Sequence, residues 1–131
     1  MRRLAIVGLF AALLSGSAGF PWSDAPDIAC STGAYKPSAY GTAQVRGVGD
    51  IDCWVNDYAQ IEITVWVKTD SILGVGVTHY CYNTYYCSWY KIKTKSSGYH
   101  CYSTVTDGAV KDFYGNWYNL PTATSGSLCT T

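Results

Sequence analysis

The sequence predicts an all-β protein, a disulfide-stapled antiparallel β-sandwich of six or seven strands. Three observations predict it. Segments that alternate apolar and polar residues recur at a spacing of about 10–12 residues, with turn signals between them, as sandwiches and barrels require. After the leader, no stretch carries the 3.6-residue apolar period of an amphipathic helix. Six cysteines, at 30, 53, 81, 87, 101 and 129, form an even set, which in an exported chain reads as three disulfides.

Residues 1–18 read as a signal peptide. Arg2 and Arg3 form its positive end, Leu4 to Leu14 its apolar stretch, and Gly16 and Ala18 a small-residue cleavage site. The apolar stretch is too short to span a bilayer, and no second one follows, so the expected localisation is secreted and extracellular, without a membrane anchor. Residues 19–40 read as an irregular lead-in, broken by Pro21, Pro26 and Pro37. The sandwich domain is then 41–131.

Within it, Gly41 to Val55 alternates, with Ala43, Val45, Ile51 and Cys53 on one parity and Gln44, Arg46, Asp50 and Asp52 on the other; Trp54 breaks the polar side. Tyr58 to Thr69 is the strongest strand. Ile61, Ile63, Val65 and Val67 form its core face, and Gln60, Glu62, Thr64, Trp66 and Lys68 face away. Ile72 to Tyr82 reads as a strand weakened by Gly74 and Gly76. Tyr99 to Asp107 alternates again, Asp107-Gly108 reads as a turn, and Pro121 places an edge strand or loop near the C-terminus.

The most unusual stretch is His79 to Lys95. Cys81 and Cys87 bracket a short polar link that reads as the tip of a hairpin, and a disulfide between them is worth about 2 kcal/mol of loop entropy. Seven of the 12 tyrosines, at 80, 82, 85, 86, 90, 99 and 102, fall in or just after this region. Lys91, Lys93 and Lys95 alternate with Tyr90 and Ile92; if the core takes Ile92, a lysine row faces solvent. That row is either part of a ligand face or an edge strand guarded against aggregation. Ser71 to Thr106 holds no Asp or Glu, although the chain balances nine basic against nine acidic residues and carries a net charge of about −2 once Arg2 and Arg3 are removed. A near-neutral chain is not a general nucleic-acid binder.

Gly98-Tyr99-His100-Cys101 places a tyrosine two residues before a cysteine after a glycine turn, and Cys53, Trp66 and Cys101 follow a Cys…Trp…Cys order. In this the chain resembles small secreted bacterial immunoglobulin-like β-sandwich proteins of uncharacterised role. The resemblance implies a tyrosine corner at Tyr99 and a Cys53–Cys101 pin between sheets. Cys30–Cys53 with Cys101–Cys129 is the other pairing considered, and the spacing does not choose between them.

Catalytic parts are sparse. Glu62 is the only glutamate, no Gly-x-Ser-x-Gly elbow occurs, and neither CxxC nor paired histidines suggest a metal. His79 and His100 are the one acid–base pair on offer, for a nuclease-like hydrolase. The function expected is a non-enzymatic binding module or effector without cofactor or metal, monomeric, recognising an extracellular polymer or protein. Its aromatic and basic face would comprise Tyr82, Tyr85, Tyr86, Trp89, Tyr90, Lys91 and Lys93. A small hydrolase, or a secreted toxin or protease inhibitor, is the alternative.

Overall fold

A computed structural model describes residues 28–131; the expected signal peptide and the lead-in up to residue 27 lie outside the described residues. Eight strands follow one another: β1 (Cys30–Tyr40), β2 (Gln44–Cys53), β3 (Tyr58–Thr69), β4 (Val77–Thr84), β5 (Tyr86–Thr94), β6 (His100–Lys111), β7 (Trp117–Asn119) and β8 (Ala123–Thr130). They form two antiparallel sheets. The small one has the order β1-β2-β5, the large one β4-β3-β6, with β7 and β8 both pairing along β6.

The parity expected for β3 holds. Ile61, Ile63, Val65 and Val67 are buried, and the first three pack with Ile51 and Cys53 of β2, Cys87 of β5 and Val110 of β6 in one core between the sheets. A smaller cluster of Val45, Val67 and Tyr102 fills the other end. Burial of an aliphatic side chain of this size is worth about 1.5–3 kcal/mol, so the alternation along β3 dictates which face turns inward. Trp66 lies on the opposite face, as its parity requires.

Several expectations are corrected. Residues 30–40 are not irregular: they form β1, and the chain accommodates Pro37 at a register shift between Tyr35 and Ser38. A proline at an edge-strand bulge gives up no ladder hydrogen bond. Asp107-Gly108 is not a turn but the middle of β6, opposite Thr64 and Ile63. The glycine is there for space, since a β-carbon at 108 would overlap Ile51 Cδ1 of the facing sheet and lie 3.0 Å from the Glu62 carbonyl. β4 starts at Val77 rather than Ile72, with residues 73–76 unpaired. Tyr99 makes no corner and is exposed. Tyr102 takes that part instead: fully buried, its hydroxyl accepts the Ser96 N–H at 2.9 Å and holds the turn before β6.

All six cysteines pair. Cys30–Cys53 and Cys101–Cys129 join residues directly opposite each other on neighbouring strands, β1 with β2 and β6 with β8. The Cys53–Cys101 pin is therefore absent. Cys81–Cys87 forms as expected, but not within a hairpin. β4 pairs with β3 and β5 pairs with β2. The single residue between them, Tyr85, carries the chain from one sheet to the other, and the disulfide staples the two sheets where they meet.

Candidate binding end of the sandwich

The seven residues expected to form one face do not. Strand β5 pairs Cys87 with Ile51, Trp89 with Gly49, Lys91 with Gly47 and Lys93 with Val45. Cross-strand partners share a face, so Trp89, Lys91 and Lys93 follow Cys87 to the inner side of the sandwich, along its open edge. Ile92 is turned outward with Arg46, the reverse of the expectation. Cys87 decides this: its bond to Cys81 across the sheets sets the parity of the whole strand. Trp89 stacks on His79 of β4 with ring centroids 3.6 Å apart. Lys91 and Lys93 are partly buried, their stems along apolar surface and their charges at the rim. Inward lysines on an edge strand block sheet-to-sheet association.

Tyr86 and Tyr90 lie on the outer face of the small sheet, and both are engaged there. Tyr86 and Tyr35 each donate a hydroxyl to Asp50 Oδ2, at 3.1 and 2.8 Å. The buried surroundings of Tyr86 first, then the charge of Asp50, push its phenol up from the ordinary value. Tyr90 lies under the Arg46 guanidinium, 4.8 Å from the ring centroid. Tyr82 is on the outer face of the large sheet, in the row Tyr82–Gln60–Lys111–Trp117. Beside it Tyr80 donates to Glu62 Oε2 at 3.0 Å, so the only glutamate is already engaged. Only Tyr85 reaches the surface described next.

His79 and His100 do not share a cleft. His79 is level with Ile63 and Gly108, and His100 lies eight residues farther along β6, about 26 Å at the rise of a strand. His79 is taken up by the Trp89 stack. His100 bonds Asp70 Oδ2 through Nδ1 at 2.7 Å and the Ser97 carbonyl through Nε2 at 2.8 Å. The Asp70 hydrogen bond, then that to Ser97, holds the imidazole pKa above 6.5. Among the described residues, no group of three or more His, Cys, Asp or Glu side chains is placed to hold a metal ion.

What the fold does gather lies at the end where β2 leads into β3, β4 into β5 and β6 into β7. Five large apolar side chains stand exposed there: Trp54 (64%), Val55 (61%), Tyr85 (55%), Phe113 (62%) and Tyr114 (92%). Two shallow concavities of about 460 and 470 Å³ lie side by side with Asn56 and Asp57 in the wall of both. Tyr85 and Trp54 flank one; Ile28, Phe113 and Tyr114 flank the other.

These loops are tied down. The Cys53 N–H donates to the Tyr85 carbonyl at 2.8 Å and the Trp54 N–H to the Ala29 carbonyl at 3.2 Å, while Cys81–Cys87 anchors the link from below. The 112–116 loop is built around Asp112. Its Oδ1 accepts the Tyr114 and Asn116 N–H groups, both at 2.9 Å, and its Oδ2 accepts the Tyr118 hydroxyl at 3.0 Å. Gly115 supplies the left-handed turn at φ +96°. The Asn116 amide foremost, with the Tyr118 hydroxyl and the Tyr114 amide adding to it, holds the Asp112 carboxyl below the ordinary carboxylate value. Phe113 and Tyr114 are thus presented by a closed loop of the Asx type.

The end is acidic as well as aromatic. Residues 52–58 and 112–118 carry Asp52, Asp57 and Asp112 and no Lys or Arg. Two signals for it were present in the sequence: Trp54 breaking the polar parity of its segment, and Phe113-Tyr114-Gly115-Asn116-Trp117, an aromatic-rich turn.

No family model, curated protein or solved structure matches the chain.

Proposed function

We propose that this chain is a secreted, non-enzymatic binding module of immunoglobulin-like architecture whose loop end grips an extracellular protein partner. The observation that carries the reading is the set of five exposed apolar side chains on loops fixed by hydrogen bonds and a disulfide. Exposed apolar surface of this kind is costly to a monomer unless something covers it. Rigid aromatic anchors lose little freedom when they bind. A protein is a better fit than a flat polymer, because Phe113 and Tyr114 project from a turn instead of lying on one sheet face. The acidic surround favours a partner surface with Lys or Arg beside apolar residues, and the aromatic rings add cation–π attraction.

Three disulfides suit an oxidising compartment. The strand order, β1-β2-β5 against β4-β3-β6-β8, with loops gathered at the two ends, supports the immunoglobulin-like reading. The distance between His79 and His100 speaks for binding over hydrolysis, as does the engagement of Glu62 by Tyr80.

Affinity capture from the native extracellular medium tests the proposal. The oxidised mature protein is expected to retain a protein that Trp54→Ser and Tyr114→Ser variants each hold about 30-fold more weakly, the effect of about 2 kcal/mol for a central aromatic. Equal capture by wild type and variants would refute it.

A further inference from the structure

Every sheet edge leaves a row of unpaired N–H and C=O groups, and stable sheets blunt such rows with charge, proline, bulges or short strands. Three edges here are blunted. β1 carries Lys36 and Pro37 at its register shift. β5 carries the inward Lys91 and Lys93. Along the far side of β6, β7 has three residues, and β8 is irregular where it pairs Ser103 to Val105.

The fourth edge, β4, is not blunted. Val77–Thr84 holds no Asp, Glu, Lys, Arg or proline, and from Val77 opposite Val65 to Tyr82 opposite Gln60 it pairs with β3 in one register; beyond that Asn83 turns left-handed at φ +50° before Thr84 pairs with Tyr58. Among the described residues no strand hydrogen-bonds to the outer edge of β4, although β5 lies beside it through the Cys81–Cys87 bond and the His79–Trp89 stack. Its sequence is also nearly symmetric about Cys81: Thr78-His79-Tyr80-Cys81-Tyr82-Asn83-Thr84. An antiparallel partner strand of the same sequence, centred on Cys81, matches Tyr80 with Tyr82 and Thr78 with Thr84 in both directions.

We infer that β4 pairs with β4 of a second copy of this chain, giving a two-fold dimer in which the two large sheets become continuous. A two-fold contact that places residue i opposite residue j also places j opposite i, so it needs a self-complementary, charge-free strip. β4 is such a strip. The outward tyrosines, Tyr80 (42% exposed) and Tyr82 (62% exposed), become cross-strand aromatic pairs. This replaces the monomer expected from the sequence. Because the strands run antiparallel, the aromatic loop ends of the two copies point in opposite directions, leaving both free for partners.

Light scattering coupled to size exclusion, on the oxidised mature protein over a wide concentration range, tests the inference. The mass is expected to double as concentration rises and then stop, since the other edges are closed. A Thr78→Lys/Tyr82→Lys variant places charge on the strip at two exposed positions and is expected to stay monomeric. At a concentration where wild type is also monomeric, its circular dichroism should match that of wild type and its unfolding should stay cooperative, which separates loss of pairing from loss of fold. Tyr114→Ser, at the other surface, is expected to dimerise like wild type. A wild type that remains monomeric at the highest concentration, a lysine variant that still dimerises, or a mass that climbs past two copies would each overturn the β4 pairing.

Discussion

Gly108→Ala with Ile51→Val is a pair of substitutions that reads the stacking of the two sheets directly. Alanine normally stabilises a strand interior relative to glycine by about 0.5–1 kcal/mol. At 108 the sign is expected to reverse, because the new β-carbon overlaps Ile51 Cδ1 and meets the Glu62 carbonyl at 3.0 Å. Overpacking of this kind costs about 1–3 kcal/mol, so Gly108→Ala alone is expected to destabilise. Ile51 is fully buried, and Ile51→Val alone should cost about 0.5–1.5 kcal/mol for the lost methyl. Together the two relieve each other: with Cδ1 gone, the nearest remaining atom of residue 51 is Cγ1 at 3.2 Å. The double variant should therefore be more stable than the sum of the singles predicts, by about 1 kcal/mol or more. Urea unfolding of the oxidised protein, with the slope unchanged across the set, provides the measurement. Additivity within about 0.5 kcal/mol, or a stabilising Gly108→Ala, would mean that β6 does not pack on β2 in this register.

Lys91→Leu with Lys93→Leu removes the inward charges of β5 and is expected to promote higher-order association, seen as light scattering growing with time; reduced partner capture without association would instead return the lysines to the binding surface. Asp112 has a lowered folded-state pKa, so its contribution is present above the ordinary value of 3.8 and is lost as pH falls through the folded value. Protection of the Tyr114 and Asn116 amides, relative to their intrinsic exchange rates, should be lost at neutral pH in Asp112→Ala, and in wild type only under acid conditions. For His100 the raised pKa means its contribution is complete below 6.5 and is lost as pH rises through the folded value. Asp70, lowered chiefly by the Cys101 amide and then by His100, loses its own as pH falls below 3.8. The gap in thermal midpoint between wild type and His100→Gln should accordingly be widest between pH 3.8 and 6.5 and close above it.

What was legible in the sequence was local and periodic. The alternation of Ile61, Ile63, Val65 and Val67 named the core face of β3, and the spacing of Cys81 and Cys87 named one disulfide. What was not legible was which sheet each strand joins. Ile92 between lysines looks like a core residue with a charged back, yet Cys87 reverses the parity because its partner lies in the other sheet. One residue of link suffices to change sheets, and no composition signal separates that from a hairpin. Pro37 read as loop because a bulge in an edge strand tolerates it. Gly108 read as turn because its true constraint, the Ile51 methyl, is 57 residues away in the chain. The candidate site escaped for a similar reason: Trp54, Tyr85 and Phe113 are far apart in sequence and meet only because three strand connections share one end.

The central claim, that the loop end and not strand β5 holds the partner, is tested most directly by a hydrogen-exchange footprint of the captured complex. Protection is expected at residues 54–57, 85 and 112–116, with β5 unchanged from the free protein. Protection confined to residues 86–95, with the 112–116 loop exchanging as freely as before, would contradict it.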